Sequence, residues 1–545
     1  MSRLVLAIVV FVQFVALMAV CLVIGDNGWD DGAITLAFAR TFAHHGLVAL
    51  TSNSETVEGF SSVSWFLLNA LVALARPSYD AAILASQLLS VLCICASTVL
   101  LARSCVLLGL DKIFSYLTVV AFAAWGCSFF EASNGMEMGL LAAAFLLMVN
   151  ELLSPRPRMV LLSTGVLLAV TTRLEALAYL GPLSLSVLLV RDRRAFWAIF
   201  LTTAAIVLVL TSWRLAVFSD FLPNTFWAKR WPPYAEFDAL GRLTGAVELL
   251  RFFLLPLIVL EILLRSGFDL TRVLRTQRKA FLLLSSPVLG VVLVGGMVGK
   301  HWGYDGRMPY FAFPLMLLLF SLTFSPWVNI KKSKLRIAIA VGACACPLRV
   351  SMDSFPSGEM SAALHGGSFG VSPHTYAETA RVFRRFARAA DLQHPTVLTP
   401  DDGGLALCCD ELRVVDLALL SNSRLAHRGY TALSDVLASE SPEMIETHKE
   451  WSSSGKLYEL PYFRARYLPA FAGGTKLWIR RDVAWTIESR GRGCLLPANT
   501  DELQKALSKH RYYDHDTTDD RRAFDDPGVV FALNEADATM ANLCQ

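Results

Sequence analysis

Charged residues are scarce in this chain. Of its 545 residues only 17% are Asp, Glu, Lys or Arg, while 54% are hydrophobic, and the mean hydropathy is +0.48. A soluble globular protein carries about a quarter charged residues. This shortage excludes an ordinary soluble protein, and repeated apolar runs near membrane-spanning length indicate a polytopic α-helical membrane protein.

Other features are also missing from the sequence. The net charge of +3 is too small to indicate nucleic-acid binding. No Cys or His spacing resembles a zinc site, and no internal repeat or low-complexity tract is visible. No small-residue cleavage site follows the first apolar run, so we expect an uncleaved first helix. The polar C-terminal third contains Cys408, Cys409, Cys494 and Cys544, and a disulfide there involving Cys494 is left open.

The basic residues decide how the apolar runs are threaded through the membrane. Hydropathy gives about eleven spans, and Arg3 before the first helix (4–24) places the following loop outside. The short run 61–76 is interpreted as a helix lying at the outer interface. The other predicted spans are 81–102, 113–130, 137–153, 159–172, 176–190, 195–217, 247–264, 281–299, 309–326 and 335–349.

This threading brings the unusual polar residues to the outer face of the membrane. They are Asp30, Asp31, Glu58, Glu137, Arg173, Glu175, Lys229, Arg230, Asp305 and Arg307. Ionisable groups near membrane depth are costly and usually face a cavity or one another. The set therefore predicts a polar active cavity, although each residue taken singly can also be an ordinary loop charge.

The C-terminal third has a different character. Strand-like runs such as "TVLTPD" and "LRVVDLA" alternate with helical stretches such as "TYAETARVFRRFARAADL". This alternation is typical of an α/β domain. We therefore predict a transmembrane catalytic domain at 1–350, whose first outer loop is 25–80, a Ser- and Gly-rich linker at 351–372, and an extracytoplasmic α/β domain at 373–545.

The paired aspartates suit one class of reaction. Transfer of a sugar from a lipid phosphate needs a carboxylate to take the proton of the acceptor hydroxyl. Asp30 and Asp31 are both candidates for this base, and each raises the pKa of the other by like-charge repulsion. The reaction also needs cations on the phosphate. The candidates are Arg173, Lys229, Arg230 and Arg307.

Several segments, in order, resemble the GT-C superfamily of membrane glycosyltransferases. They read "DDGAITLAFARTFAHHGLVAL", "VEGFSSVSW", "SNGMEMGL", "TRLEA", "PNTFWAK" and "DGRMPYFAFPL", followed by "VVDLALLSNSRLAHRGY" after the last span. More narrowly, they are similar to the branch of mycobacterial terminal arabinofuranosyltransferases and their bacterial relatives. The chain departs from that branch at Gly32-Ala33, where Ala-Tyr is usual, and in "TRLEA", which lacks its proline and glycine.

The resemblance implies an inverting enzyme whose donor is a polyprenyl-phosphate-linked sugar such as decaprenylphosphoryl-arabinose. The acceptor would be a cell-envelope glycan or protein, outside the bacterial cytoplasmic (inner) membrane. No cofactor is required, and a divalent cation at Asp30 and Asp31 is left open. The residues expected to line the cavity for sugar or acceptor are Glu58, Glu137, Glu175, Asn224, Asp305 and Trp227.

Two other functions fit the same composition. A transporter or flippase for lipid-linked sugar would perform no chemistry, but such proteins are usually built from inverted repeats with polar midplane helices. A non-catalytic envelope protein could bind glycan through the C-terminal domain. The absence of a repeat and the polar residues at one face favour the transferase.

Overall fold

A computed structural model describes residues 2–235, 277–298, 307, 309–324, 355–368, 370–472, 475–497 and 529–533. The predicted spans at 247–264 and 335–349, and the candidate site residue Asp305, lie outside the described residues.

The hydrophobic part of the chain is helical. Its helices are α1 (Arg3–Ile24), α2 (Asp31–His45), α3 (Val63–Ala73), α4 (Tyr79–Leu107), α5 (Lys112–Ala123), α6 (Gly126–Ser133), α7 (Met138–Leu153), α8 (Met159–Thr172), α9 (Ala176–Leu189), α10 (Arg193–Phe218), α11 (Asn224–Ala228), α12 (Arg278–Val298) and α13 (Ala312–Phe324).

Four helical stretches in the described part of the chain are long and apolar enough to cross a membrane. They are Arg3–Ile24, Tyr79–Leu107, Lys112–Ser133 and Arg193–Phe218, and each overlaps a predicted span. Several shorter apolar helices, α7, α8, α9 and α13 among them, occupy other predicted spans. Helix α3 has 11 residues, so it is about 16 Å long against a hydrocarbon core of about 30 Å. The interfacial position of α3 stays a prediction.

The core of the helical part is formed mainly by α4, α7, α8, α9 and α12. Large aromatic side chains fill its centre: the rings of Trp125 and Tyr310 stack with centroids 4.8 Å apart. Phe311 packs between Phe145 and Tyr179, at 4.4 and 4.5 Å. In a lipid bilayer the hydrophobic effect does not drive helices together, so close packing of this kind holds apolar helices to one another.

The C-terminal part contains a seven-stranded mixed sheet with the order β2-β1-β3-β5-β4-β7-β6. Its strands are β1 (Thr396–Thr399), β2 (Arg413–Asp416), β3 (Met444–Ile445), β4 (Tyr467–Ala472), β5 (Thr475–Arg480), β6 (Gly493–Pro497) and β7 (Val529–Leu533). The helices of this part are α14 (Ser357–Leu364), α15 (Pro373–Ala390), α16 (Gly403–Cys408), α17 (Ser423–Arg428), α18 (Leu433–Glu440), α19 (Lys449–Ser454), α20 (Pro461–Arg466) and α21 (Arg481–Ser489). An α/β arrangement after residue 373 is thus present, as the sequence predicts.

Strands β1, β2 and β3 run parallel, so their carboxyl ends meet at one edge of the sheet. The loop after β1 leads directly into α16, and the loop after β2 leads towards α17. A disulfide joins the neighbouring residues Cys408 and Cys409 at the end of α16. This edge of the sheet is the part that reaches the candidate site.

Helix α2 connects the two parts of the chain. Phe38 on α2 and Phe60 and Phe66 after it belong to the same buried core as Phe383 on α15 and Phe531 on β7. Helix α2 begins at Asp31 and ends at His45, and the next residue, Gly46, has a φ of 71°, the left-handed conformation that stops many helices. The segment from α2 to α3 therefore packs on the C-terminal part. The domain boundaries given above remain a prediction.

Candidate active site

Asp31 is the first residue of α2, and its carboxylate is reachable from solvent. Its Oδ2 accepts a hydrogen bond from Nη1 of Arg307 at 2.7 Å. The Asp31 side chain is 44% exposed, whereas that of Arg307 is 12% exposed. Among the described residues Asp31 forms one ion pair, and the open side of its carboxylate leaves room for a second molecule.

A second ion pair is almost completely buried. Nη2 of Arg173 lies 2.5 Å from Oε1 of Glu137, and both side chains are 5% exposed. Arg173 terminates α8, and Glu137 immediately precedes α7. Removing one member of such a pair leaves an uncompensated buried charge, which is strongly destabilising.

These pairs belong to a larger group of charges, which we call the charge cluster. Its members are Asp31, Glu131, Glu137, Arg173, Glu175, Lys229 and Arg307. Glu137 and Glu175 precede helices without capping them, and Lys229 terminates α11. Acids at amino ends and bases at carboxyl ends match the helix dipoles. Helix termini thus place the charges, while the side chains turn towards one another.

The members of the charge cluster perturb one another electrostatically. Burial acts to raise the pKa of Glu175, but the positive charges of Arg173, Lys229 and Arg307 outweigh it, and the pKa is lowered. Burial lowers the pKa of Lys229 despite the neighbouring Glu175. Burial also acts to lower the pKa of Arg307, but the surrounding carboxylates, Asp31 first, outweigh it and the pKa is raised.

The cluster contains buried donors that are not used within the described part of the chain. Nε of Arg173 and Nε of Arg307 have no hydrogen-bond partner among the described residues. A buried polar group left unsatisfied costs about 1–3 kcal/mol, and more when it is charged. Two guanidinium groups with unused N–H donors therefore form a place where an anion would be stabilised.

Asp30 lies in a different environment from Asp31. Its residue is only 9% exposed, and its two carboxylate oxygens accept hydrogen bonds from backbone N–H groups of Gly403 at 2.9 Å and Gly404 at 2.6 Å. Burial raises the pKa of Asp30 to about 8, and the charge of Asp31 adds only a smaller effect. Burial, more than the expected repulsion between the two aspartates, sets this pKa.

Glu58 does not face the charge cluster as a free cavity residue. Both of its oxygens accept hydrogen bonds from Arg214, from Nε at 2.6 Å and from Nη2 at 2.9 Å. The two side chains are 3% and 6% exposed. This bidentate pair ties the loop between α2 and α3 to α10.

The remaining predicted residues are divided between scaffold and surface. The Asn224 amide donates to the carbonyls of Leu419, at 3.3 Å, and Leu420, at 2.7 Å, so it holds the chain to the C-terminal part.

Trp227 packs against His427, with ring centroids 4.8 Å apart. Arg230 is exposed and lies over the Trp227 ring at 5.4 Å, away from the charge cluster. The structure brings Arg173, Lys229 and Arg307 together but leaves Arg230 out.

Several residues of this region were not predicted from the sequence. Glu131 lies in the predicted outer turn and is completely buried in the cluster. Its position within the same short segment as Glu137 was the available signal. Arg214 is a lone arginine inside an apolar run, which itself indicates a buried partner. Among the described residues, no group of three or more His, Cys, Asp or Glu side chains is arranged to hold a metal ion.

No protein-family model and no curated protein matches this chain. Among solved structures it is similar to ArnT from Cupriavidus metallidurans in the apo state, with 16% identity and a TM-score of 0.49, over 80% of this chain and 92% of ArnT. It is also similar to the arabinofuranosyltransferase AftD from Mycobacteria, with 17% identity and a TM-score of 0.45, over 83% of this chain and 35% of AftD. Both TM-scores are below 0.5, so the proposal below rests on the contacts of the charge cluster.

Proposed function

We propose that this chain is an inverting GT-C glycosyltransferase. It moves a sugar, arabinofuranose in the proposal, from a polyprenyl-phosphate donor to a hydroxyl of a cell-envelope glycan or protein. The reaction takes place on the outer side of the bacterial cytoplasmic membrane. Asp31 is the base, and Arg173, Lys229 and Arg307 hold the donor phosphate.

One observation carries this proposal: an accessible carboxylate, Asp31, is joined to a cluster in which three cations lie among buried carboxylates. Asp31 is 44% exposed and bonded to Arg307, while Arg173 and Arg307 retain unused buried donors among the described residues. A transfer from a lipid phosphate needs these two functions side by side. The acceptor alcohol must reach the base, and the phosphate must be held away from water.

The proposed step balances as follows. The acceptor hydroxyl oxygen attacks the anomeric carbon, and its proton passes to the carboxylate of Asp31. The bond between the anomeric carbon and the phosphate oxygen breaks, and its electron pair stays on the phosphate. Attack from the face opposite the phosphate inverts the anomeric configuration. The products are the glycosylated acceptor, the polyprenyl phosphate and a protonated Asp31.

The cations would act mainly on the departing phosphate. The donor phosphodiester carries one negative charge, and the leaving polyprenyl phosphate gains a second as the bond breaks. Interactions that strengthen with this developing charge accelerate the reaction, whereas uniform binding does not. The planar guanidinium groups of Arg173 and Arg307 match phosphate oxygens in geometry, and Lys229 supplies a compact third charge.

Asp31 is preferred to Asp30 as the base because of their different contacts. A general base must be deprotonated and must reach the proton that it accepts. The oxygens of Asp30 are bonded to Gly403 and Gly404, and its pKa is raised to about 8. Asp31 has its open side towards solvent. The structure thus supports one aspartate of the pair in the role that the sequence left to either.

To test this proposal, purified protein is incubated with a panel of polyprenyl-phosphate-linked sugars and acceptor glycans, and the product is identified by mass spectrometry. Asp31→Asn should abolish transfer while the protein still inserts and binds donor. Asp435→Asn is the matched control, because that side chain is 63% exposed in a weak surface pair, and it should transfer normally. Full transfer by Asp31→Asn would show that Asp31 is not the base. Donor movement across vesicles without any product would favour a flippase.

A further inference from the structure

We infer that the C-terminal sheet domain completes the candidate site, with Asp30 as the positioning residue that joins the two. The inference rests on the proposed function in that Asp31, the next residue, is the group being positioned. Asp30 itself does not contact substrate in this scheme.

Three hydrogen bonds attach Asp30 to the C-terminal part. Its backbone N–H donates to the carbonyl of Val371 at 3.0 Å. Its carboxylate receives the N–H groups of Gly403, at 2.9 Å, and Gly404, at 2.6 Å. The partners lie more than 340 residues away in sequence, so these bonds are purely tertiary. The amino end of α2 is therefore fixed by the first turn of α16 and by Val371, just before α15.

The two glycines allow this approach because they have no side chain. A Cβ at Gly403 would lie 2.6 Å from the Asp30 carbonyl oxygen and 2.8 Å from its Oδ2. A Cβ at Gly404 would lie 2.1 Å from the carbonyl oxygen of Pro373. Contacts below 3.0 Å with backbone atoms cannot be relieved by rotating a side chain. Gly403 thus leaves room for Asp30, while Gly404 leaves room for the chain at Pro373.

The same edge of the sheet also holds the segment that carries Lys229. Beyond Asn224, whose amide reaches the loop after β2, Trp231 donates from Nε1 to the Ala426 carbonyl at 2.8 Å. The Tyr234 hydroxyl donates to the Ala418 carbonyl at 3.0 Å. Residues 403–426 therefore brace the elements bearing both Asp31 and Lys229.

Arg40 provides a second attachment along α2. Its guanidinium donates to the carbonyls of Leu407, at 2.6 Å, and Ala406, at 3.0 Å, and it pairs with Asp410 at 3.0 Å. Helix α2 is thus fixed to α16 at its first turn and again near its middle. Because α2 is held at two points, the position of Asp31 is fixed relative to the sheet domain.

The consequence for catalysis follows from geometry. A displacement of about 1 Å at a reacting group costs about 100-fold in rate. Loosening the contact at Asp30 would allow such a shift of Asp31 without removing any group that binds the donor. Such variants should lose kcat while the donor KM stays nearly constant.

The experiment compares Asp30→Asn and Gly403→Ala with Asp31→Asn, measuring transfer kinetics and hydrogen exchange of residues 29–36 and 400–410 in the full-length protein. We expect the first two variants to lower kcat about 10- to 100-fold, leave the donor KM within about twofold, and speed exchange in both segments. Asp31→Asn should lose transfer without faster exchange. Gly181→Ala is the control, because an added Cβ there meets nothing within 4 Å.

Two results would overturn the inference. One is Asp30→Asn losing all transfer with unchanged exchange, which would make Asp30 the base. The other is faster exchange with normal kcat, which would show that the attachment does not position Asp31. If the Asp30→Asn protein does not accumulate, the same kinetic and exchange measurements on Gly403→Ala decide between these outcomes. Exchange is measured without substrate, so the attachment can be shown even if the proposed transfer fails.

Discussion

The buried pair of Glu58 and Arg214 gives the sharpest stability test of this structure. The two residues are 156 positions apart, and both side chains are almost inaccessible. The change is Glu58→Gln, which keeps the shape of the side chain but removes its charge. The double variant Glu58→Leu with Arg214→Leu removes both charges together.

The expected magnitude follows from the burial of the pair. After Glu58→Gln, Arg214 is left as a charge at 6% side-chain exposure without its anionic partner. Breaking a buried pair in this way costs about 3–5 kcal/mol. Replacing both members by apolar residues is often neutral or even stabilising. The double variant should therefore be more stable than the single variant. If the destabilising effects of the two substitutions simply added, the double variant would be the less stable one.

Thermal unfolding in detergent, followed by loss of native fluorescence, measures the effect. The exposed pair of Arg428 and Asp435, at 3.5 Å with side chains 58% and 63% exposed, is the control. Asp435→Asn should change stability by less than about 1 kcal/mol. A Glu58→Gln variant no less stable than this control would refute the pairing. If Glu58→Gln lost activity without losing stability, Glu58 would instead line the sugar or acceptor cavity, as the sequence predicted.

Three further predictions concern pH, packing and topology. Burial raises the pKa of folded Asp30 from 3.8 to about 8, so the folded chain keeps a proton that the unfolded chain releases. Thermal stability should therefore fall as pH rises from about 4 to about 8, and Asp30→Asn should reduce this slope without abolishing it, because burial also raises the pKa of Glu359 and Glu446. Gly32→Ala places a Cβ 2.2 Å from the Asn134 carbonyl oxygen and should lower the free energy of unfolding by about 1–3 kcal/mol, whereas unchanged thermal unfolding would contradict that contact. Reporter fusions after Lys112 and after Asp305 should report opposite sides of the membrane, and agreement between them would disprove the threading.

The long apolar elements were predictable because lipid imposes a simple rule on sequence. A span needs about 20 apolar residues with its backbone satisfied internally, so α1, α4 and α10 could be located from hydropathy alone. Helix α2 is different, because it mixes Arg40, two histidines and small residues. Its apolar face is satisfied by the sheet, which hydropathy does not reveal.

Most members of the charge cluster were predictable from the sequence, but Glu131 was missed, Arg230 was wrongly included, and the pairing could not be predicted. Threading placed Asp31, Arg173 and Arg307 on one side, and they do converge. Which carboxylate meets which cation depends on tertiary contacts that no local pattern encodes. Arg230 follows Lys229 directly in sequence, yet it is exposed while its neighbour joins the cluster. Because Arg230 follows Lys229 at the end of the short helix α11, its side chain points in a different direction, towards solvent.

The separation of Asp30 from Asp31 has the same physical origin. Successive residues at the start of a helix point about 100° apart, so a pair of acids cannot face one cavity equally. Asp30 turns to the amide groups of Gly403 and Gly404, and Asp31 turns to Arg307. The sequence shows two like charges, whereas the fold gives them different partners.

A contrast between two groups of buried charges bears on the choice between transferase and flippase. Glu151 has a completely buried side chain, but Arg158 pairs with it at 2.9 Å and Arg103 at 3.3 Å, and both arginines are substantially exposed. That group is satisfied and leaves nothing for a ligand. The charge cluster instead keeps buried guanidinium N–H groups unused among the described residues, beside an accessible carboxylate. A carrier built from inverted repeats binds its substrate near the bilayer midplane on interrupted helices, whereas a transferase needs its cations next to its base. By the predicted threading the unused donors and Asp31 lie together at the outer face, so the distribution of charge favours chemistry over transport.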